Sequence, residues 1–167
     1  MVEEYWDIYD ADRNLSGRTI KRGEPLKAGE FYVCCEIWIV NSNHQILVTQ
    51  RHPDKKAGGL WEFTGGGVLA GETTRLAACR ELKEELGILC KEAELELLGI
   101  YSYGHYFMDI YVVRKDLRND EIVLDKNEVT DWLWLSSNDV ENLIETGKMV
   151  HSVGMRYKAF ANGLLYT

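Results

Sequence analysis

The sequence predicts an α/β fold, a sandwich of helices around a mixed β-sheet. Short apolar runs typical of strands are interspersed with amphipathic stretches that have helical spacing. Chains with this alternation pack as layers of helices on a sheet. No internal repeat, low-complexity tract or second hydrophobic block interrupts the 167 residues, a length that is ordinary for one domain. We therefore expect a single domain over residues 1–167.

The N-terminal half reads as strands joined by polar turns. The expected strands are residues 4–10, 18–22, 31–40, 45–50 and 61–64. Their β-branched and aromatic residues favour strands, and the turn residues between them predict reversals. The first two strands flank a polar turn and therefore predict an N-terminal β-hairpin. The last leads into the glycine run Gly65–Gly67, which is expected to form a loop.

One amphipathic helix is predicted over Thr73–Leu86 and should end at Gly87, because glycine readily adopts the left-handed conformation that closes helices. At about 100° per residue, three acids share one narrow face. These are Glu81, Glu84 and Glu85. The opposite, buried face is expected to carry Leu76, Cys79, Leu82 and Leu86.

The C-terminal half continues the alternation of strands and helices. Further strands are expected at Leu95–Ser102, Tyr106–Val113 and Val129–Leu135, with an acidic loop before the last of them. Ser136 or Ser137 can cap a helix over Asp139–Glu145. Helical spacing of apolar residues then runs from Ser152 to Leu165.

The acidic helix face indicates a metal site. Carboxylates crowded within one turn repel one another by a few tenths of a kcal/mol per pair, which folding alone gives no reason to accept. Mg²⁺ takes oxygen ligands from a few carboxylates and keeps its other positions for water and phosphates. The alternative is a solvated charged face.

The stretch Gly65–Ile88, GGGVLAGETTRLAACRELKEELGI, resembles the Nudix box, whose pattern is Gly-x5-Glu-x7-Arg-Glu-apolar-x-Glu-Glu-x-Gly-apolar. The matching positions are Gly66, Glu72, Arg80, Glu81, Leu82, Glu84, Glu85, Gly87 and Ile88. No position of the pattern is missing. The resemblance implies a Nudix-like α/β/α sandwich with a central mixed β-sheet, and a single Nudix hydrolase domain.

The resemblance also implies roles for individual residues. Glu81, Glu84 and Glu85 look like the metal-binding and catalytic carboxylates of the family, with Mg²⁺ or Mn²⁺ as the cofactor. The carbonyl of Gly65 is a further candidate ligand, although the glycines could merely shape the loop. Gly66, Glu72 and Arg80 would orient the site, since arginine can hold a carboxylate by a forked hydrogen bond. The implied reaction is attack of water on phosphorus in a diphosphate linkage.

Residues outside the box supply further candidates. Family members often draw one more acid from a loop, and Glu128 is our first choice over Asp109 and Glu121. The basic loop after the fourth strand offers phosphate-binding cations, or else only solvated surface charge. Its members are Arg51, Lys55 and Lys56. Glu36, within an apolar strand, either lines a pocket or lies on an exposed strand face.

Segments beyond the box are similar to the branch of the superfamily that includes isopentenyl-diphosphate isomerase. That isomerase needs a cysteine after the tryptophan strand, and this chain has Phe63-Thr64-Gly65-Gly66-Gly67 there. We therefore expect a hydrolase that acts on a nucleoside diphosphate derivative. An isoprenoid-diphosphate isomerase and a non-catalytic ligand-binding module are the alternatives. Thr64 stands where proline often precedes the glycines.

The composition limits partners and compartment. The net charge of −8 argues against nucleic-acid or anionic-membrane binding, which needs a basic surface. The four cysteines lack Cys-x-x-Cys spacing and are expected to be free thiols. No signal peptide or membrane span is apparent, so a cytoplasmic location is expected. A homodimer is possible, but no segment indicates an interface.

Overall fold

A mixed β-sheet between helices forms the centre of the computed structural model, which describes residues 3–165. The strands in that range are β1 Tyr5–Tyr9, β2 Leu15–Lys21, β3 Tyr32–Val40, β4 Ile46–Arg51, β5 Trp61–Glu62, β6 Thr64–Gly67, β7 Glu96–Tyr103, β8 Tyr106–Arg114 and β9 Val129–Leu135. The helices are α1 Thr74–Leu86, α2 Ser137–Glu145 and α3 His151–Phe160. The predicted α/β architecture is confirmed.

The sheet has the strand order β5-β4-β3-β8-β7, with β6 paired to β3 and β9 paired to β4. Strands β3 and β8 are parallel, and the other pairs are antiparallel. Helix α1 buries Ala77, Ala78 and Leu82 against one face of the sheet. Helices α2 and α3 bury Val140 and Tyr157 against the other face. Two apolar cores on either side of one sheet make the expected sandwich.

The N-terminal hairpin of β1 and β2 is present as a separate two-stranded sheet. Its second strand begins at Leu15, earlier than the expected residue 18. Backbone hydrogen bonds join Tyr9 to Phe31, and the amide of Ala70 donates to the carbonyl of Tyr5. These bonds fix the hairpin over the segment that joins β6 to α1.

The glycine run was expected to be a loop, and this expectation is wrong. Gly65–Gly67 belong to β6, which lies antiparallel to Cys34–Ile37 of β3, and the expected strand 61–64 is divided at Phe63. A Cβ on Gly65 would lie 2.2 Å from the carbonyl oxygen of Cys35. A Cβ on Gly66 would lie 2.2 Å from the carboxylate of Glu81. The backbone of β3 therefore excludes any side chain at position 65, whereas a side chain at position 66 would require the Glu81 carboxylate to move.

Helix α1 begins and ends as the sequence indicates. The Thr73 hydroxyl accepts from the amide of Leu76, and Gly87 ends the helix with a φ of 68°. One part of the face assignment is wrong, because Leu76 is 46% exposed. Ala77 and Ala78 take its place in the core and are fully buried. Small residues there let the helix approach the sheet closely.

The last helices differ slightly from the expected bounds. The Ser136 hydroxyl caps α2 by accepting from the amide of Asp139. Helix α3 ends at Phe160, and a 3₁₀ turn covers Ala161–Leu165. Asn162 and Gly163 have low helix propensity, which explains why the expected helix to residue 165 is interrupted. No helix within residues 3–165 has both the length and the apolar character that crossing a bilayer requires.

Two leucines of α1 test the assignment of its buried face. Leu82 is fully buried and Leu76 is 46% exposed. We expect Leu82→Ala to lower the free energy of unfolding by about 2–5 kcal/mol, because it leaves a cavity in the core. Leu76→Ala should change it by only about 0.5 kcal/mol. Urea denaturation followed by circular dichroism measures both, and equal losses would contradict the assignment.

Candidate active site

The acids of α1 open onto a cleft of about 240 Å³ beside the glycine strand. The residues in its walls come from the two ends that flank the hairpin, from the end of β4 and the loop after it, from strand β6, from helix α1 and from the loop before β9. The lining residues are Glu4, Arg22, Arg51, Lys55, Gly65, Gly66, Gly67, Arg80, Glu81, Glu84, Glu85, Asp125 and Glu128. The cleft thus combines predicted site residues with several that the sequence did not indicate.

Glu85 is the most unusual group in the cleft. Its residue is 8% exposed, and within the described part of the chain its carboxylate has no hydrogen bond or ion pair. Burial raises the pKa of the Glu85 carboxyl well above its usual range, the charges of Glu81 and Glu62 raise it further, and the positive charges of Lys55 and Arg51 oppose these effects only in part. A buried carboxylate without a partner is costly to keep ionised. A bound cation would remove that cost.

Arg80 organises the remaining box acids. Its Nε and Nη2 donate to the two oxygens of Glu72, each at 3.0 Å. Its Nη1 donates to Glu81 at 2.7 Å and to Glu84 at 3.1 Å. Its Nη2 also donates to the carbonyl of Gly67 at 2.9 Å. All five N–H groups of the guanidinium are therefore used, and they join the helix to the glycine strand and to the loop between them.

The carboxylates do not form a ready-made metal cage. Among residues 3–165, no three His, Cys, Asp or Glu side chains converge in a way that could enclose an ion. The reason lies in Arg80, which holds Glu81 and Glu84, and the Glu84 side chain is 57% exposed. Glu85 and the second oxygen of Glu81 have no such hydrogen bonds in this range. These oxygens suit a hard cation such as Mg²⁺. Gly65, whose backbone carbonyl is the further candidate ligand, lines the same cleft.

The three predicted phosphate-binding residues differ in whether they line the cleft and in which side chains they contact. Arg51 lines the cleft, but its Nη1 donates to both oxygens of Glu62 at 2.6 Å. Lys55 lines the cleft and forms an ion pair with Glu128. Lys56 is exposed and is not among the lining residues. Arg22 of the segment after β2 also reaches the cleft, where it pairs with Glu4 at 2.6 Å.

The candidate acids outside the box are likewise separated by the fold. Glu128 lies in the cleft next to Lys55. Asp109 is buried away from it and accepts from Arg13 at 2.8 Å, and Glu121 is exposed and does not line it. Glu62 was missed, although burial raises the pKa of its carboxyl and it lies close enough to influence Glu85. The sequence feature that could have identified Glu62 is an acidic residue between the two aromatic residues Trp61 and Phe63.

A second pocket opens on the other side of the glycine strand, and Glu36 lines it. Glu36 is 2% exposed, so of the two alternatives left open by the sequence the exposed strand face is wrong. Its partner is Arg156 of α3, whose Nε donates to Oε2 at 2.8 Å. No sequence pattern links these residues, because the contact joins β3 to a helix more than a hundred residues away.

Comparisons with known proteins agree with this geometry. The NUDIX domain family model matches residues 34–153. A Nudix hydrolase of Listeria monocytogenes, described as uncharacterised, is 32% identical over 149 residues, which cover 88% of each chain. The crystal structure of the protein DR0079 from Deinococcus radiodurans has a TM-score of 0.80 at 21% identity, covering 94% of this chain and 99% of that one.

A more distant structure carries a ligand and a metal. It is a bifunctional NMN adenylyltransferase/ADP-ribose pyrophosphatase from Francisella tularensis, complexed with AMP and a manganese ion. The match has a TM-score of 0.67 at 20% identity and covers 84% of this chain and 43% of that one. The family model spans most of this chain, and the Listeria relative is similar along nearly its whole length. The protein is therefore an enzyme of the Nudix hydrolase family.

Proposed function

We propose that the protein hydrolyses a diphosphate linkage in a nucleoside diphosphate derivative and that this reaction depends on Mg²⁺ or Mn²⁺. The observation that carries the proposal is the buried carboxylate of Glu85, which has no hydrogen bond or ion pair within residues 3–165 and lies in an acidic cleft that is also lined by cationic side chains. The manganese ion and AMP in the Francisella structure support it as an analogy. A cytoplasmic location, supported by the free cysteines, and pairing as a homodimer remain predictions.

Glu85, Glu81 and, after release from Arg80, Glu84 are the residues that would hold the cation, with the Gly65 carbonyl as a further candidate. When bound, the cation supplies charge neutralisation at the phosphates and a lower pKa of the attacking water. Arg80 and Glu72 hold the helix acids at a fixed distance from the glycine strand. Their role is to position the carboxylates.

The cationic side chains of the cleft bind and orient the diphosphate. Lys55 contacts Glu128 directly, so a phosphate that attracts Lys55 frees the Glu128 carboxylate to accept a proton from water. The water oxygen bonds to phosphorus as the bridging P–O bond breaks. The products are two phosphate monoesters from a nucleoside diphosphate conjugate, a monoester and inorganic phosphate from a nucleoside diphosphate, or a monoester and inorganic diphosphate from a nucleoside triphosphate. Arg22 and Arg51 line both pockets, which supports a role for them in contacting the same phosphates.

A substrate panel tests the proposal directly. Nucleoside diphosphates, nucleoside triphosphates and nucleoside diphosphate sugars are incubated with Mg²⁺, with Mn²⁺ or with EDTA, and the products are identified by ³¹P NMR. We expect cleavage of at least one substrate with metal and none with EDTA. In ¹⁸O-labelled water the label should appear on phosphorus. Cleavage of no substrate in the panel would favour a non-catalytic binding module, and double-bond migration in isopentenyl diphosphate would favour an isomerase.

Glu85→Gln should reduce turnover while the fold stays intact. Loss of a group that hydrogen-bonds to a metal ligand lowers metal affinity or activity by about 10–100-fold, so loss of the proposed ligand itself should lower turnover by at least about 100-fold. Glu121→Gln is the matched control, because Glu121 is exposed and lies outside the cleft. Steady-state kinetics with the best substrate of the panel measure both, and wild-type turnover in Glu85→Gln would contradict the assignment.

The same substitution should stabilise the metal-free protein at alkaline pH. The pKa of Glu85 is raised in the folded state, so the stability contributed by its protonated form is present below the unfolded value of about 4.3 and is lost as pH rises through the folded pKa. Glutamine cannot ionise and avoids this loss. We expect Glu85→Gln to melt at a higher temperature than wild type at pH 8 in EDTA, with the difference vanishing near pH 4.

Circular dichroism melts between pH 4 and pH 9 give this comparison. Adding Mg²⁺ or Mn²⁺ should raise the melting temperature of the wild type more than that of Glu85→Gln, because a ligand stabilises the state that binds it. A variant less stable than wild type at pH 8 without metal would show that the carboxylate has a stabilising partner.

A further inference from the structure

The second pocket has a volume of about 330 Å³, within the range of small-molecule sites. Trp6, Tyr32, Glu36, Phe63, Met108 and Arg156 are among its lining residues. It adjoins the acidic cleft, since the three glycines of β6, Arg22 and Arg51 line both. A ligand whose diphosphate lies in the cleft therefore needs to reach only past the glycine strand to enter this pocket.

A buried ion pair forms the polar part of this pocket. Glu36 and Arg156 are 2% and 4% exposed. Taking both charges out of water costs several kcal/mol per ion, and well-packed apolar residues often stabilise a core equally well. The neighbouring side chains Trp38, Phe63 and Ile110 are apolar core residues. Folding alone therefore does not explain why a charge pair lies here, whereas ligand recognition does.

The hydrogen bonds of the pair leave capacity for a ligand. An ionised carboxylate has about four acceptor positions. Glu36 accepts from the Trp38 indole at 2.9 Å, from the Arg156 Nε at 2.8 Å and from the Arg156 Nη2. One acceptor position of the carboxylate is left over. The Nη1 group of Arg156 lies 3.5 Å from the Tyr106 hydroxyl, a long contact that leaves its donors available.

An aromatic wall stands beside the pair. The rings of Trp6 and Tyr32 are stacked with centroids 4.5 Å apart, and the Tyr106 ring lies 5.9 Å from Tyr32. The guanidinium of Arg22 lies 5.8 Å from the Trp6 ring. Trp6 and Tyr32 are only partly buried, and both line the pocket. Such a wall favours a planar, aromatic ligand group.

We propose that this pocket binds the heteroaromatic base of the substrate and that Glu36, fixed by Arg156 and Trp38, is the residue that selects the base. The free acceptor position of Glu36 takes an N–H of the base, and Arg156 donates to an adjacent ring nitrogen or carbonyl oxygen. This inference rests on the proposed function, because it places the base relative to the diphosphate. It requires a base with a donor and an acceptor on neighbouring atoms.

The test replaces the ion pair without leaving a single buried charge. The double variant Glu36→Met with Arg156→Met keeps the pocket filled, and folding is checked by its thermal melt. Values of kcat/KM are measured in the full chain for the best nucleotide of the panel and for ribose 5-diphosphate, which has no base. We expect at least about a tenfold loss with the nucleotide, mainly in KM, because hydrogen bonds to charged groups are lost. Ribose 5-diphosphate should be cleaved as by wild type.

A matched control distinguishes recognition from structural support. Half-buried Arg13 and buried Asp109 form another ion pair, and Asp109 lies on β8 between core residues of the opposite sheet face, outside both pockets. Arg13→Met with Asp109→Leu should leave the ratio of the two kcat/KM values unchanged. If the Glu36/Arg156 variant also leaves this ratio unchanged, the pair is structural and the inference is overturned.

A binding measurement separates this inference from the proposed function. The α,β-methylene analogues of the four common nucleoside diphosphates resist hydrolysis, and their binding is measured by calorimetry. We expect one or two of them to bind wild type at least about tenfold more tightly than the others, and the preference to disappear in the double variant. Failure of hydrolysis with retained, Glu36-dependent binding would reject the proposed reaction only. Equal binding of all four analogues to wild type would reject the base-selecting role.

Discussion

Burial disfavours the ionised form of the Glu85 carboxyl, and much of the surrounding structure keeps this acid in place. Leu82 and Leu86 of the same helix are fully buried behind it. Arg80 is near in sequence but directs its hydrogen bonds to Glu72, Glu81 and Gly67. The fold therefore holds a buried acid whose cationic neighbours Lys55 and Arg51 are themselves paired with Glu128 and Glu62. Under the proposed metal dependence, the cost of ionising this acid would become binding free energy for a divalent ion.

The glycine strand makes this arrangement sterically possible. Since β6 carries no side chains at Gly65 and Gly66, β3 approaches it on one side and the Glu81 carboxylate approaches it on the other. Arg80 then spans the gap by donating to the Gly67 carbonyl. Three glycines without side chains thus lie between the two pockets, which adjoin across the backbone of β6. The proposed substrate would cross this strand and contact the acids of α1 on one side and the pair of Glu36 on β3 and Arg156 on α3 on the other.

How well each feature could be predicted depends on how far apart in the sequence the contacting residues are. Helix α1, its cap at Gly87 and its acidic face depend on neighbouring residues, so the sequence was sufficient for them. Leu76 was misassigned because helical spacing defines a face but does not show how closely the sheet approaches it. Glu36 was recognisable as unusual, but Arg156 was not identifiable as its partner. That pairing depends on how α3 packs on the sheet, which no local pattern encodes.

The two proposed tasks of the site depend on different parts of the chain. The acids and Arg80 come from one continuous segment, in which helical geometry fixes their relative positions. The base pocket combines Trp6 of the hairpin, Glu36 of β3 and Arg156 of α3. A substitution in α3 or in the hairpin can therefore alter which ligand fits without moving the box acids. Chemistry and selectivity are separable here because one is built from local contacts and the other from tertiary contacts.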